Sequence, residues 1–214
     1  MTSDDRPDDG TDLSPAESLA LVQAQTARVR AGTDVRVELL YGAWGLAWLL
    51  GFAALWAAGS PSSPVRLPTP VAGVVLAVLM LAAVVVTVTH TTRQTRGVVS
   101  PDALRGALYG WSWFVSFAGL SAVLITLGRQ GVDPDLLDVL WPACSCLLVA
   151  ALYMMGSAVW RDPHMFALGA WFAVCVVAGV IVGTPGMFAV MSLAGGGGFL
   201  ATATWFAVRH RRSR

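Results

Sequence analysis

LLYGAWGLAWLLGFAALWAA, residues Leu39 to Ala58, is the stretch on which the fold turns. Its twenty residues carry no ionisable side chain, and at a helical rise of about 1.5 Å per residue they span the roughly 30 Å hydrocarbon core of a bilayer. No polar face recurs with a 3.6-residue period, so the helix needs apolar surroundings on every side. Tyr41 and Trp44 stand near one end and Trp56 near the other, where amphipathic rings favour the headgroup level. Gly42, Gly45, Ala47 and Gly51 are small residues at helical spacing, which let a second backbone come close.

Five further runs have the same character: Val71 to Thr89, Gly106 to Gly128, Val139 to Trp160, Met165 to Gly183 and Met187 to Val208. None contains Asp, Glu, Lys, Arg or His. Thr69-Pro70, Ser100-Pro101, Asp133-Pro134, Asp162-Pro163 and Thr184-Pro185 each offer an N-cap residue before a proline at the first helical position. The expected fold is all-α, a polytopic membrane protein of six transmembrane helices (39–58, 71–89, 106–128, 139–160, 165–183, 187–208) within a membrane domain of residues 37–208. A hydrophobic content of 56% against 13% charged residues excludes an ordinary soluble surface over 214 residues.

All fourteen basic residues are Arg, and their placement sets an orientation. With the N-terminus inside, twelve fall in cytoplasmic segments and only Arg66 and Arg129 fall outside. The positive-inside rule then puts both termini in the cytoplasm. Residues 1–13 are an acidic tail with little to bury, expected to be disordered. They lack the apolar core of a signal peptide, so the first span is expected to be retained. Residues 14–32 read as a short amphipathic cytoplasmic or interfacial helix, opened by Ser14, Pro15 and Glu17 as a capping box and closed by Gly32. Residues 209–214, RHRRSR, read as a basic cytoplasmic tail that anchors topology.

Tyr41-Gly42-Ala43-Trp44, Tyr109-Gly110-Trp111 and Leu168-Gly169-Ala170-Trp171 open the three odd-numbered spans. Three parallel hairpins or an aromatic belt with small packing residues would each produce this echo.

The chemistry-bearing residues are few. No span core holds an ionisable group, which argues against a proton-driven transporter. His90 and His164 lie at the membrane boundary and read as solvated or snorkelling side chains. Cys144, Cys146 and Cys175 are odd in number and lie in apolar runs, so no disulfide framework is implied. Cys144 and Cys146 are two apart and face different ways on a helix, so no metal site is expected from them. Pro142 is expected to kink the fourth span. Gly195, Gly196, Gly197 and Gly198 form the oddest feature, four glycines inside the sixth span, each costing roughly 1 kcal/mol against Ala. They read either as a surface for very close helix packing or as a hinge beside a pathway.

No Walker loop, zincin motif or nucleophile elbow occurs, and no enzyme or cofactor is expected. SPAESLALVQAQ (residues 14–25) followed by LLYGAWGLAWLLGF (residues 39–52) resembles a group of small six-helix membrane proteins of high-GC actinomycete bacteria, some loosely labelled transporters. The resemblance implies a bacterial plasma-membrane location and supplies no catalytic residues. The functional expectation is an accessory or regulatory membrane subunit. Its partners are the bilayer and a protein on the cytoplasmic side, with homo-oligomerisation a further option and no nucleic acid. The alternative is a compact transport protein, such as the permease subunit of an ATPase-driven transporter.

Overall fold

The structure is a computed structural model that describes residues 14–21, 36–95 and 101–212. Six helices in it are long and apolar enough to cross a membrane, and no strand occurs among the described residues. The chain is an all-α, multi-pass membrane protein. The acidic tail, residues 22–32 of the N-terminal helix and the last two residues of the basic tail lie outside the described residues.

Residues 15–21 are helical. The Ser14 backbone N–H donates to Glu17 Oε2 at 2.9 Å, and the Glu17 N–H donates to Ser14 Oγ at 3.3 Å. These reciprocal bonds satisfy two donors that the first helical turn leaves free.

The membrane unit consists of α1 (Val37–Gly59), α2 (Thr69–Thr95), α3 (Pro101–Arg129), α4 (Pro134–Trp160), α5 (Pro163–Val182) and α6 (Gly186–Arg212). Helices α1, α2, α3 and α6 overrun their apolar runs at both ends, whereas α4 and α5 overrun only at the start, because chain ends at the headgroup level remain helical while their charged tips snorkel. Thus α6 continues as helix through Arg209, His210, Arg211 and Arg212.

The start signals divide. Asp133 Oδ1 accepts from the Asp135 N–H and Asp162 Oδ1 from the His164 N–H, both at 2.9 Å, with Pro134 and Pro163 in the first turn as expected. Ser100 lies outside the described residues. At α2 the helix begins one residue early, since the Pro68 carbonyl accepts from the Val71 N–H and leaves Thr69 already helical. At α6, Pro185 occupies the cap after a cis Thr184–Pro185 bond and the helix starts at Gly186. Pro142 sits inside α4, which is helical on both sides of it. At the end of α3, Gly131 takes φ +86°, while its N–H reaches the Gly128 carbonyl and that of Val132 the Leu127 carbonyl, a Schellman closure.

The helices pack in an arc. Helix α2 lies on α1, α1 on α6, α6 on α5, α5 on α4, and α4 on α3. The core therefore sits where α1, α4, α5 and α6 converge. Tyr41 and Trp48 (α1), Tyr153 (α4), Phe172 (α5) and Phe199 (α6) are all buried there. Trp48 stacks on Phe172 at 5.0 Å, and Phe172 meets Phe199 at 4.6 Å and Tyr153 at 5.8 Å. Lipid tails are as apolar as these rings, so transfer from water does not drive their association; close packing and ring quadrupoles do, at about 0.5–1.5 kcal/mol per well-placed pair.

Each sequence-adjacent hairpin carries a polar tie from an aromatic side chain of its odd helix to its even one. Trp44 Nε1 donates to Thr87 Oγ1 at 3.0 Å, Tyr109 Oη to the Leu152 carbonyl at 3.0 Å, and Trp171 Nε1 to the Ala194 carbonyl at 2.9 Å. Trp44, Tyr109 and Trp171 all belong to the aromatic echo that opens α1, α3 and α5. A second tie joins α1 to α2: the Arg36 N–H donates to His90 Nε2 at 3.1 Å, so this imidazole caps an orphan donor at the helix start.

The capping box responds to pH in a defined direction. Hydrogen bonding to the Ser14 backbone N–H, and then to its side chain, holds the Glu17 carboxyl below the ordinary glutamate range. A depressed folded-state pKa contributes stability above the unfolded value and loses it as pH falls through the folded one. In a titration followed by the Glu17 carboxyl carbon resonance, the midpoint of the Ser14→Ala variant is expected to move up. Coincident midpoints count against the capping box.

Candidate functional site

The glycine run lies where α6 departs from ideal geometry. Met191–Gly196 is a single π-helical stretch, followed by ordinary α-helix from Gly197. A π turn widens the helix and shifts its carbonyls off the usual ladder, and such turns recur at functional sites. Two side chains hold the stretch in place. Ser192, the one buried polar side chain among the described residues, donates its hydroxyl to the Leu49 carbonyl of α1 at 2.7 Å. Trp171 of α5 donates to the Ala194 carbonyl from the opposite side.

Successive residues on a helix turn by about 100°, so four glycines in a row face all round it. Gly195 faces Trp48, where an added Cβ would lie 2.8 Å from Cε3. Gly196 faces the backbone of Leu49, at 2.7 Å from its nitrogen and 2.9 Å from its Cα. Gly198 faces the Trp171 indole at 2.8 Å. At Gly197 nothing lies within 4 Å. Three of the glycines thus seat α6 as a wedge between α1 and α5, and a Cβ added at Gly45 of α1 would lie 2.8 Å from the Leu200 side chain and 3.1 Å from its backbone nitrogen, extending the same seam.

Gly197 opens onto a groove of about 700 Å³ between α5 and α6. Its floor is made of small residues such as Ala167, Ala194 and Ala201, and Trp171 lines its middle. His164 and Trp205 lie together at one end, their rings 4.5 Å apart, and Leu193 stands at the other. The Arg209 guanidinium sits over the Trp205 ring, 5.1 Å from its centroid. Such a lining can hold an apolar chain against backbone and aromatic faces and a charged group at one rim. A smaller pocket of about 340 Å³ lies between α1 and α6, with Arg36 and Glu38 on its edge.

The other sequence candidates are placed as follows. Pro142 is on α4 and does not line either pocket. Cys144, Cys146 and Cys175 are free thiols, the last two buried, and no group of three His, Cys, Asp or Glu side chains gathers among the described residues. Sequence reasoning did not single out Ser192, Trp171 as a donor, or the Arg209–Trp205 contact. A hydroxyl inside an apolar run was the only signal for the first.

Comparison with family models, with curated proteins and with solved structures finds no match to this chain.

The wedge and the open position predict opposite signs for the same substitution. Gly196→Ala forces a methyl into the Leu49 backbone, which cannot retreat as a side chain could, and is expected to destabilise by about 1–3 kcal/mol. Gly197→Ala meets open space and is expected to stabilise by about 0.5–1 kcal/mol through reduced backbone freedom. Unfolding titrations in mixed micelles measure both, and equal effects at the two positions sink the assignment of faces.

Proposed function

We propose that the chain is a non-catalytic accessory or regulatory membrane subunit that acts through a protein partner. The supporting observation is the filled bundle axis, where five aromatic rings from α1, α4, α5 and α6 occupy the place a polar pathway would need. The Ser192 hydroxyl, buried near that axis, is already engaged by Leu49. Helices α2 and α3 are peripheral by contrast: of their most apolar stretches 11% and 6% is buried, against 39% for α1 and for α6. Their outward faces are available to lipid or to a partner's helices. The Arg distribution supports cytoplasmic termini, and the resemblance carried by residues 14–25 and 39–52 supports a bacterial plasma membrane; the basic end of α6 would then share its side with a cytoplasmic partner.

A second reading, a compact transport protein such as a permease with a separate ATPase, draws on the π-helical stretch at the glycine run. Such turns are places where helices bend.

Affinity capture of the tagged chain from its native membrane in mild detergent, with mass spectrometry of stoichiometric companions, separates the two. A membrane or cytosolic partner without ATPase motifs is the expected result. Recovery of an ATPase favours the permease, and recovery of the chain alone defeats the accessory reading. In the same membranes, a single cysteine placed at Gln130 of a cysteine-free variant is expected to react with impermeant maleimide from outside, and labelling only after permeabilisation reverses the topology.

A further inference from the structure

We infer that the groove between α5 and α6 binds one anionic phospholipid, with an acyl chain along Gly197 and the headgroup phosphate at Arg209. This goes beyond the accessory reading and does not rest on it.

The shape is that of a chain and not of a helix. Along α6 the groove runs from Leu193 to Trp205, twelve residues or about 18 Å of helix. That is close to the depth of one leaflet, about half of the 30 Å core. One end lies at the interface, because Arg209, Arg211 and Arg212 follow directly and Trp205 is an interfacial ring. The other end lies near the bilayer centre at the exposed Leu193. A lipid of the leaflet on the C-terminal side therefore meets the groove in register, its head at the basic end and its tail running inward. The missing Cβ at Gly197 and the alanines on the floor let a methylene chain lie against the α6 backbone, while Trp171 and Trp205 provide flat walls.

Charge selects the headgroup. The exposed Arg209 guanidinium sits over the Trp205 face at the basic end of the groove, and a cation on an aromatic plane retains its donors for a phosphate. Asp162, the cap of α5, accepts from the His164 N–H with its Oδ1, and Arg161 precedes it in sequence. The basic residues of the last turn of α6 therefore dominate this end. A zwitterionic lipid could offer the same chain, but its ammonium group opposes the field that attracts its phosphate.

The test uses the full chain in mild detergent with equal amounts of dioleoylphosphatidylglycerol and dioleoylphosphatidylcholine, read by native mass spectrometry. The expected result is one phosphatidylglycerol retained per chain in preference to phosphatidylcholine. Arg209→Gln is expected to lower that preference about fivefold, the effect of one cation at the headgroup level. Gly197→Leu, which fills the groove from a position with free space around it, is expected to abolish retention while helicity and elution volume stay unchanged. Equal retention of the two lipids by the unmodified chain overturns the proposal. So does unchanged retention in Gly197→Leu, and a loss there with no change in Arg209→Gln overturns the headgroup assignment. If Gly197→Leu fails to fold, the Arg209→Gln preference decides alone.

Discussion

The close approach of α6 to α1, with Gly195 against the Trp48 ring and Gly196 against the Leu49 backbone, is the contact on which the rest of the bundle depends. In lipid there is little to gain from hiding one apolar surface against another, so helices associate where atoms can come near enough for dispersion and where a polar group finds a partner. Both conditions meet at this seam. The missing side chains bring the backbones together, and Ser192 places its hydroxyl on the Leu49 carbonyl in the same few ångströms. With α6 seated there, Phe199 reaches Trp48, Tyr153 and Phe172, and four helices share one cluster of rings.

The glycines that weaken α6 as an isolated helix are thus the ones that strengthen it as a member of the bundle. Each costs about 1 kcal/mol of intrinsic propensity. The π-helical stretch belongs to the same trade, because the widened turn rotates the run so that Gly195 and Gly196 face α1 while Gly198 meets α5. One position, Gly197, is left facing neither neighbour, and the groove is the result.

Much of the fold was legible in the residues because the bilayer imposes it. Twenty uncharged positions between turn signals can do little but span, and Asp133-Pro134 and Asp162-Pro163 open helices as such pairs should. The helix ends were less legible, since Arg93, Arg129 and Arg209 lie in helical turns that extend past the apolar runs. Pairing was the least legible. In a soluble protein the apolar stripe says which face turns inward, but here every face is apolar, so nothing in the pattern distinguished Gly196, pressed on a backbone, from Gly197, facing open space. The Thr184-Pro185 signal placed the first helical residue one position early, since Pro185 is itself the cap and the helix opens at Gly186.

The arc order gives α6 a particular place in biosynthesis. The hairpins α1–α2 and α3–α4 and the single helix α5 all leave the ribosome before the glycine run does, and α1 and α5 lie at distant points of the chain. Until α6 arrives between them, Trp48 and Phe172 lack the ring of Phe199 and the Leu49 carbonyl lacks the Ser192 hydroxyl. The bundle is closed by α6, as an arch is by its keystone. Chains cut short before residue 191 would carry five apolar helices and lack the Phe199 and Ser192 contacts that complete the core.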